Sequence, residues 1–168
     1  NSSVSAVSHF WDFGDGTTST LASPTPHTYV GPGDRTITLT VTNALGCTHS
    51  VSQLVHVYEP PTVGIQVANL CFGEVALFTP VIGTDAGNPV TSWAWDFGDG
   101  TTSVLQSPEH QYATAGTYVI SLDVTTPYCG NSGVQWVSVQ PRPVAAFTPD
   151  AVLGCSPLAV SFTNNSTG

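Results

Sequence analysis

The sequence contains no lysine and no methionine, and only two of its 168 residues are basic, Arg35 and Arg142. Against them stand 11 acidic residues, which gives a formal net charge of −9 at pH 7. A chain with this charge repels nucleic acid and anionic membrane surfaces, so we exclude both as partners. No apolar run reaches the roughly 18 residues that a membrane-spanning helix needs, and we therefore expect no membrane insertion.

Charged residues of either sign are scarce, at 8% of the chain, while Thr, Ser, Val and Gly are abundant. Because β-branched residues favour strands, this composition indicates a β-rich protein whose solvent face is built from hydroxyls and amides. The four cysteines do not form a CxxC pair or a zinc-type spacing. Such cysteines suit an oxidising compartment, and we expect an extracellular location.

Catalytic motifs are also missing from the sequence. The five histidines are scattered, and no His-x-x-x-His or Gly-x-Ser-x-Gly pattern accompanies them. The paired carboxylates of the two Asp-Phe-Gly-Asp segments lie on one tight turn each, so they cannot flank a sugar in a cleft. His27 and His110 stand at matching positions two residues before a tyrosine, which predicts packed, hydrogen-bonded histidines. We expect that the protein is not an enzyme.

An internal repeat dominates what is present. The segment WDFGDGTTS begins at Trp11 and again, letter for letter, at Trp95, a spacing of 84 residues. Phe78 and Phe162 have the same spacing, which is half of the chain length. The repeat therefore predicts small domains of about 84 residues.

The two copies of the repeat are out of phase with the ends of the chain. We expect residues 61–140 to form a complete domain and residues 1–58 to form the C-terminal part of a split one. Residues 143–168 are then the N-terminal strands of a domain that residues 1–58 of the next repeat complete. The chain would be one period of a tandem array. The rival interpretation is a discrete subunit whose C-terminal segment completes the next subunit without a covalent bond, as in donor-strand polymers.

Alternation of apolar and polar residues recurs in short pieces separated by turn signals, and no segment shows a helical period. About seven strands in each period predict a small antiparallel β-sandwich. An odd number of up-and-down strands places the two termini at opposite ends of a domain. Together with the proline-stiffened segments EPP and PRP, this predicts that joined copies extend as a rod.

The segments WDFGDGTTS, SPTPHTY and GTYVISLDVT resemble the PKD domain, a module of surface proteins. The resemblance implies an immunoglobulin-like antiparallel β-sandwich. The cysteine pattern is similar to tandem PKD repeats in giant secreted surface proteins of gliding Bacteroidota, which implies export by type IX secretion. One departure is Arg35, which stands where the complete domain has Tyr118. We expect Arg35 to reach a carboxylate.

The repeated turn allows two interpretations. Gly98 and Gly100 supply backbone angles that other residues avoid, and the Asp99 side chain can cap backbone amides, which indicates a structural turn. Some PKD domains of secreted collagenases bind calcium near this turn. That resemblance makes Asp96, Asp99 and Asp123 candidate ligands and calcium the candidate cofactor. The sequence lacks the dense run of acidic ligands that calcium usually requires, and the structural interpretation is favoured.

The cysteines are expected to form disulfides. Cys71 precedes the second strand of the complete domain and Cys129 follows the SLDVT strand, so we place both at one end of the sandwich and expect them to pair. In the split domain, Cys155 would pair with Cys47 of the next repeat. The alternative is that all four cysteines are buried free thiols.

Strand alternation turns Trp136 and its counterpart Leu54 outward, which makes them candidate interface residues. We expect a non-enzymatic repeat that forms the shaft of an extracellular surface fibre or giant adhesin used for attachment or cell contact. Its partners would be other copies of the repeat, end to end and side by side. The alternative function is a PKD binding module of a secreted hydrolase that contacts polysaccharide or collagen.

Overall fold

The structure is a computed structural model that describes residues 6–168, and every regular element in that range is a β-strand. Within this range no helix is long and apolar enough to cross a membrane. The chain divides into two compact units. The first comprises the residues up to Pro61 with two short loops, and the second comprises the remainder. The loops assigned to the first unit are Thr84–Pro89 and Thr126–Cys129. The predicted all-β class is confirmed.

The first unit contains one antiparallel sheet of four strands in the order β2-β1-β3-β4. The strands are β1 (Ala6–Asp12), β2 (Thr18–Ser19), β3 (Gly33–Asn43) and β4 (Thr48–Val57). Trp11 pairs with Leu39 across β1 and β3, so the repeated segment WDFGDGTTS starts inside the sheet and leaves it through a tight turn.

Hydroxyl pairs link the two long strands of this sheet. Thr38 and Ser52 lie opposite each other, and their oxygen atoms are 2.8 Å apart. Thr40 and Ser50 form a second such pair at the same distance. This hydroxyl ladder supplies the cross-strand bonds that charged pairs provide in other sheets, as the low charge content predicts.

The second unit carries a five-stranded sheet in the order β10-β9-β12-β13-β6, with β6 parallel to β13. Two small antiparallel sheets, β5 with β8 and β7 with β11, complete it. Its strands are β5 (Thr62–Gln66), β6 (Leu70–Cys71), β7 (Ala76–Leu77), β8 (Thr79–Gly83), β9 (Ser92–Asp96), β10 (Thr102–Ser103), β11 (Glu109–His110), β12 (Gly116–Thr125) and β13 (Gly130–Gln140).

The core of the second unit follows the alternation predicted from the sequence. Alternate residues are buried in the second half of β12 and at the C-terminal end of β13, and Trp95 is buried on β9. The buried apolar residues are Leu70, Ala76, Phe78, Trp95, Phe97, Tyr112, Ile120, Leu122, Val124, Val137 and Val139. These side chains form one apolar cluster, which is the main source of stability of a small sandwich.

The C-terminal segment forms a separate two-stranded antiparallel ribbon, β14 (Phe147–Pro149) with β15 (Phe162–Asn164). Its register repeats that of β5 with β8, residue pair by residue pair. The matched pairs, ribbon first, are Phe147–Asn164 with Ile65–Pro80, Thr148–Thr163 with Gln66–Thr79, and Val144–Thr167 with Thr62–Gly83. Residues 143–168 therefore adopt the opening strands of the same fold.

Candidate functional site

The repeated turn is held by its own aspartates. In the second unit, Asp96 Oδ1 accepts a hydrogen bond from the Gly98 N–H at 2.8 Å. Asp99 Oδ1 accepts two more, from the backbone N–H of Thr101 at 3.0 Å and from its hydroxyl at 2.6 Å. Gly98 and Gly100 have φ values of 78° and 89°. These contacts confirm the predicted capping by Asp99 and explain why glycines occupy both positions.

A histidine closes the turn against the core. His110 Nε2 lies 2.8 Å from Asp99 Oδ2, and the imidazole stacks on the ring of Phe97 at a centroid distance of 4.3 Å. The hydroxyl of Tyr112 donates to the Phe97 carbonyl oxygen at 3.1 Å. The predicted packed histidine is confirmed. The contact between this histidine and Asp99 was not predicted. The sequence did contain a signal for it, because each of the two histidines follows its turn at a similar distance along the chain.

The first unit reproduces this arrangement with different residues around it. His27 Nε2 lies 2.7 Å from Asp15 Oδ2, and its ring stacks on Phe13 at 4.3 Å. The Tyr29 hydroxyl donates to the Phe13 carbonyl oxygen at 3.0 Å. The turn, the histidine and the tyrosine therefore form one repeated structural element.

The aspartates of this element have low pKa values. Hydrogen bonds from the Thr17 hydroxyl and from His27 hold the pKa of Asp15 well below its usual value of 3.8. For Asp99, partial burial raises the pKa, but the hydrogen bonds from Thr101 and His110 outweigh it, and the net pKa is lowered from 3.8. Both carboxylates are ionised at neutral pH, and their oxygens are occupied by donors of the turn.

The turn also lies unusually close to a neighbouring strand. A Cβ atom placed on Gly98 would be 2.3 Å from the Val119 carbonyl oxygen, and one placed on Gly14 would be 2.6 Å from the Thr36 carbonyl oxygen. Only a residue without a side chain permits this approach. Backbone proximity, together with the left-handed φ, accounts for the glycine at this position in both copies.

The candidate calcium ligands are not gathered into one cluster. Asp96 and Asp99 serve the turn, whereas Asp123 lies on β12 opposite Ala94. Among residues 6–168, no group of three or more His, Cys, Asp or Glu side chains is placed to hold a metal ion. Calcium binding stays a prediction, and the geometry described here supports a structural task for the turn.

The inner face of the first sheet lacks the cover that the second sheet has. Trp11, Ile37 and Leu39 are only half-buried, and they line an open groove with Val51. Their equivalents in the second unit, by register and strand order, are buried: Trp95, Ile120 and Leu122. The apolar face of the first sheet is therefore more exposed than that of the second.

The C-terminal ribbon also exposes apolar side chains. Phe162 exposes 69% of its surface, whereas Phe78, which precedes the equivalent strand β8, is fully buried. Phe147 is also exposed, and its ring forms a T-shaped contact with that of Phe162, at a centroid distance of 5.9 Å. The ribbon presents apolar side chains, and the first sheet presents an apolar face.

The predicted Cys71–Cys129 disulfide is wrong. All four cysteines are free thiols. Cys71 pairs with Gln140 at one end of β13, and Cys129 adjoins Gly130 at the other end. A strand of 11 residues is more than about 30 Å long, whereas disulfide-bonded cysteines have Cα atoms within about 7 Å. The error arose from placing the second strand at the wrong end of the domain.

The predicted bond between Cys155 and Cys47 of the next repeat involves another copy. Both residues are exposed in this structure. Cys47 directly precedes β4, the ten-residue counterpart of β13. The equivalent geometry therefore separates these two cysteines in the same way, and this pairing is not retained.

The two candidate interface residues point outward. Trp136 exposes 64% of its surface and Leu54 exposes 61%, as strand alternation predicts. Val119, which pairs with Trp136 across β12 and β13, is exposed on the same face. A role in an interface stays a prediction for both residues.

Arg35 does not reach a carboxylate, contrary to expectation. Its guanidinium Nη2 donates to the carbonyl oxygens of Gly31 and Pro32, each at 3.3 Å. Tyr118, at the equivalent position, donates its hydroxyl to the Thr114 carbonyl oxygen at 2.9 Å. Both side chains thus secure the loop that precedes their own strand.

Known proteins share this sequence pattern. The family model of the PKD domain matches residues 1–58 and 58–138. A microbial collagenase of Vibrio alginolyticus is 45% identical over 53 residues, which are 32% of this chain and 6% of the collagenase. Human polycystin-1 is 33% identical over 109 residues, which are 62% of this chain and 2% of polycystin-1. The chain thus spans only a small part of the curated relatives it matches.

Among solved structures, the crystal structure of the PKD1 domain of Vibrio anguillarum Epp is similar to part of this chain. It has 26% sequence identity and a TM-score of 0.46, over 51% of this chain and 99% of that domain. The family match and the antiparallel sheets together confirm the predicted immunoglobulin-like β-sandwich.

Proposed function

This chain belongs to the PKD domain family, and we propose that it is a non-enzymatic structural repeat in the shaft of an extracellular surface fibre or giant adhesin. The fibre serves attachment or cell contact. PKD domains are non-catalytic modules that occur in secreted or extracellular proteins, which supports this class of function. Export by type IX secretion stays a prediction.

The central part of the proposal is the joining of consecutive copies. Residues 61–140 form a complete domain, and residues 143–168 of one copy are completed by residues 1–58 of the next. The observation that carries this step is the register of the C-terminal ribbon, which equals that of β5 with β8. The first sheet has the strand order of the second except for β6, whose counterpart at the repeat spacing, residues 154–155, lies in the same C-terminal segment.

Burial supports the same step. Phe162 is exposed in the ribbon, and the equivalent Phe78 packs on Trp95 with ring centroids 6.0 Å apart. The equivalent of Trp95 in the first sheet is the half-exposed Trp11. Placing Phe162 of one copy against Trp11 of the next would remove both from water, which is the main driving force for association.

A chain of two copies tests the proposal. Residues 1–168 are produced once and twice in tandem, and hydrogen exchange is followed by peptic digestion and mass spectrometry. In the two-copy chain, half of the population of each β1 and β3 peptide should exchange at least about tenfold more slowly than in the single copy. Peptides from β12 serve as the control, since that strand is already covered in both chains. Equal exchange of β3 in the two chains would refute the joining of copies.

The same experiment separates a covalent array from a donor-strand polymer. Single copies that polymerise end to end at micromolar concentration, with protection of β3, would show that completion proceeds without a peptide bond. Single copies that stay monomeric, with protection only in the tandem chain, favour the covalent array. Electron microscopy of longer tandem chains should then show rods whose length grows in proportion to copy number.

A second candidate function is a binding module of a secreted hydrolase that contacts polysaccharide or collagen. The exposed Trp136 beside Val119 on the outer face of β12 and β13 favours it. A pull-down of the two-copy chain with insoluble collagen and with polysaccharide would test it. Binding that is lost in Trp136→Ser and kept in Thr117→Ser supports the module, and the absence of binding leaves the shaft as the function.

A further inference from the structure

Cys71 and Cys129 each lie beside the C-terminal end of a long strand, but the two strands differ. Cys71 lies opposite Gln140 in the pairing of β6 with β13. The thiol of Cys129 lies 3.8 Å from the carbonyl oxygen of Tyr58, which directly follows β4. Stacking of Tyr128 on Tyr58, with centroids 4.5 Å apart and an interplanar angle of 4°, holds the Cys129 loop at this place.

Tyr58 and Gln140 hold equivalent positions. Val57 and Val139 each pair with the glycine that opens the neighbouring strand, β3 or β12. Tyr58 and Gln140 are the residues that come next. In the complete domain, Cys71 lies beside Gln140. We therefore expect the counterpart of Cys71 to lie beside Tyr58 once the first domain is completed.

This step rests on the proposed joining of copies. Cys155 is the counterpart of Cys71 at the repeat spacing of 84 residues, so the ribbon of a preceding copy brings its Cys155 beside Tyr58. Paired strands lie about 4.8 Å apart, and bonded cysteines have Cα atoms about 4.4–6.8 Å apart. Cys129 and the incoming Cys155 thus adjoin the same residue, Tyr58.

The opposite end of the complete domain offers the same arrangement. The backbone N–H of Cys47 donates to Asn43 Oδ1 at 3.0 Å, in the turn between β3 and β4. The N–H of Cys129 donates to the Thr126 hydroxyl, also at 3.0 Å, in the turn between β12 and β13. Cys47 therefore holds the position of Cys129, and Cys47 of a following copy meets Cys71.

We infer that the cysteines form disulfides between neighbouring domains: Cys129 with Cys155 of the preceding copy, and Cys71 with Cys47 of the following copy. Every domain boundary of the array then carries one covalent cross-link in addition to the peptide chain. Each bond needs two copies, which accounts for four free thiols in the single chain.

The chemistry is thiol–disulfide exchange with a disulfide oxidant, such as oxidised glutathione or an oxidised dithiol protein. One cysteine thiolate attacks the oxidant and forms a mixed disulfide, and one thiol leaves. The second cysteine thiolate attacks its partner in that mixed disulfide and releases the other thiol. The two cysteines lose two electrons and two protons, and the oxidant gains both.

Peptide mapping of the two-copy chain tests the inference. The chain is folded in a glutathione redox buffer, alkylated, digested with pepsin and analysed by mass spectrometry. Half of its thiols should resist alkylation, in two linked peptide pairs, Cys71 with Cys47 and Cys155 with Cys129. In the single copy, diluted below self-association, all four thiols should be alkylated. Pairs that join Cys71 to Cys129 or Cys155 to Cys47 would overturn the inference.

Matched variants locate each bond. Cys129→Ser in the second copy should remove only the Cys155 pair, whereas the same change in the first copy should leave both pairs. Full alkylation of all thiols, with slow exchange of half of the β3 peptides, would refute the disulfides and leave the joining of copies intact. If the β3 peptides do not slow, the joining fails, and the disulfide inference fails with it.

Discussion

Trp11 and Trp95 hold the same place in two sheets that share the order of four strands, where they pair with Leu39 and Leu122 on equivalent strands. Trp95 is buried, and Trp11 is half exposed. The surrounding turns, histidines and tyrosines agree to within about 0.1 Å in their main distances. Local sequence therefore determines the turn and the register, whereas burial depends on strands that pack on the sheet from elsewhere.

The C-terminal ribbon also shows that strand register does not depend on burial. It pairs its strands in the register of β5 with β8 without a sheet to pack against. Backbone pairing in the ribbon thus does not require burial, and in the proposed junction both segments would be formed before they meet. A junction built from preformed parts loses less conformational entropy on association than one that folds on contact.

The largest expected difference between the two regions concerns the equivalent phenylalanines. In the single copy, Phe78→Ala should lower the free energy of unfolding of the second unit by about 3–5 kcal/mol, because it empties a buried site. Phe162→Ala, in the exposed ribbon, should change it by less than about 0.5 kcal/mol. Urea denaturation followed by tryptophan fluorescence measures both. In the two-copy chain, Phe162→Ala in the first copy should lower the free energy of unfolding as much as Phe78→Ala does. If Phe162→Ala has no effect there either, the two phenylalanines are not equivalent.

The next largest difference in stability is expected between alanine substitutions of the two glycines of the turn. Gly98→Ala forces a Cβ against the Val119 carbonyl at a left-handed φ and should cost roughly 3 kcal/mol. Gly100→Ala is strained only by its φ, since nothing lies near its Cβ position, and should cost about 1 kcal/mol. The difference in urea midpoint between the two variants measures the close approach alone. Equal midpoints would show that φ, and not the neighbouring strand, selects the glycine.

Acid should weaken the turn. Because the pKa of Asp99 is lower in the folded state than the usual 3.8, its contribution to the free energy of unfolding is complete above about pH 4. It is lost as the pH falls through the folded-state pKa. Asp99→Asn should therefore flatten the fall in stability below about pH 4. Asp123→Asn, on the exposed face of β12, is the control, and a change of the same size in that variant would argue against the Asp99–His110 interaction.

The smallest effect on stability is expected on the outer face. Trp136→Ser and Leu54→Ser should each change the free energy of unfolding by no more than about 0.5 kcal/mol, since both side chains are exposed. If arrays associate side by side, the same variants should lower the sedimentation coefficient of long tandem chains. Unchanged sedimentation in both variants would remove these residues from any lateral interface.

The sequence was sufficient for the parts of the structure that depend on local pattern. Alternation identified the buried face of β9, β12 and β13, and the repeated nonapeptide identified the turn and its capping residue Asp99. The disulfide prediction failed because pairing Cys71 with Cys129 required the position of β6, a two-residue strand parallel to the end of β13. No periodicity extends over two residues, and a parallel partner can join either end of a sheet.

The contacts of the charged side chains also could not be predicted from the sequence pattern. Asp99 and His110 lie on different strands and loops, and only the fold brings their atoms together. Arg35 found backbone carbonyls in its own loop where a carboxylate was expected. In a chain with so few charges, opposite partners are rare, and unpaired carbonyl oxygens are the more accessible acceptors.

The hydroxyl ladder on β3 and β4 has a consequence for the environments that the sheet tolerates. Thr38 with Ser52 and Thr40 with Ser50 bond without any formal charge. Dissolved ions screen charged pairs but scarcely affect neutral hydroxyl contacts, and neither threonine nor serine titrates at any pH found in nature. The sheet therefore keeps these cross-strand bonds from fresh water to brine.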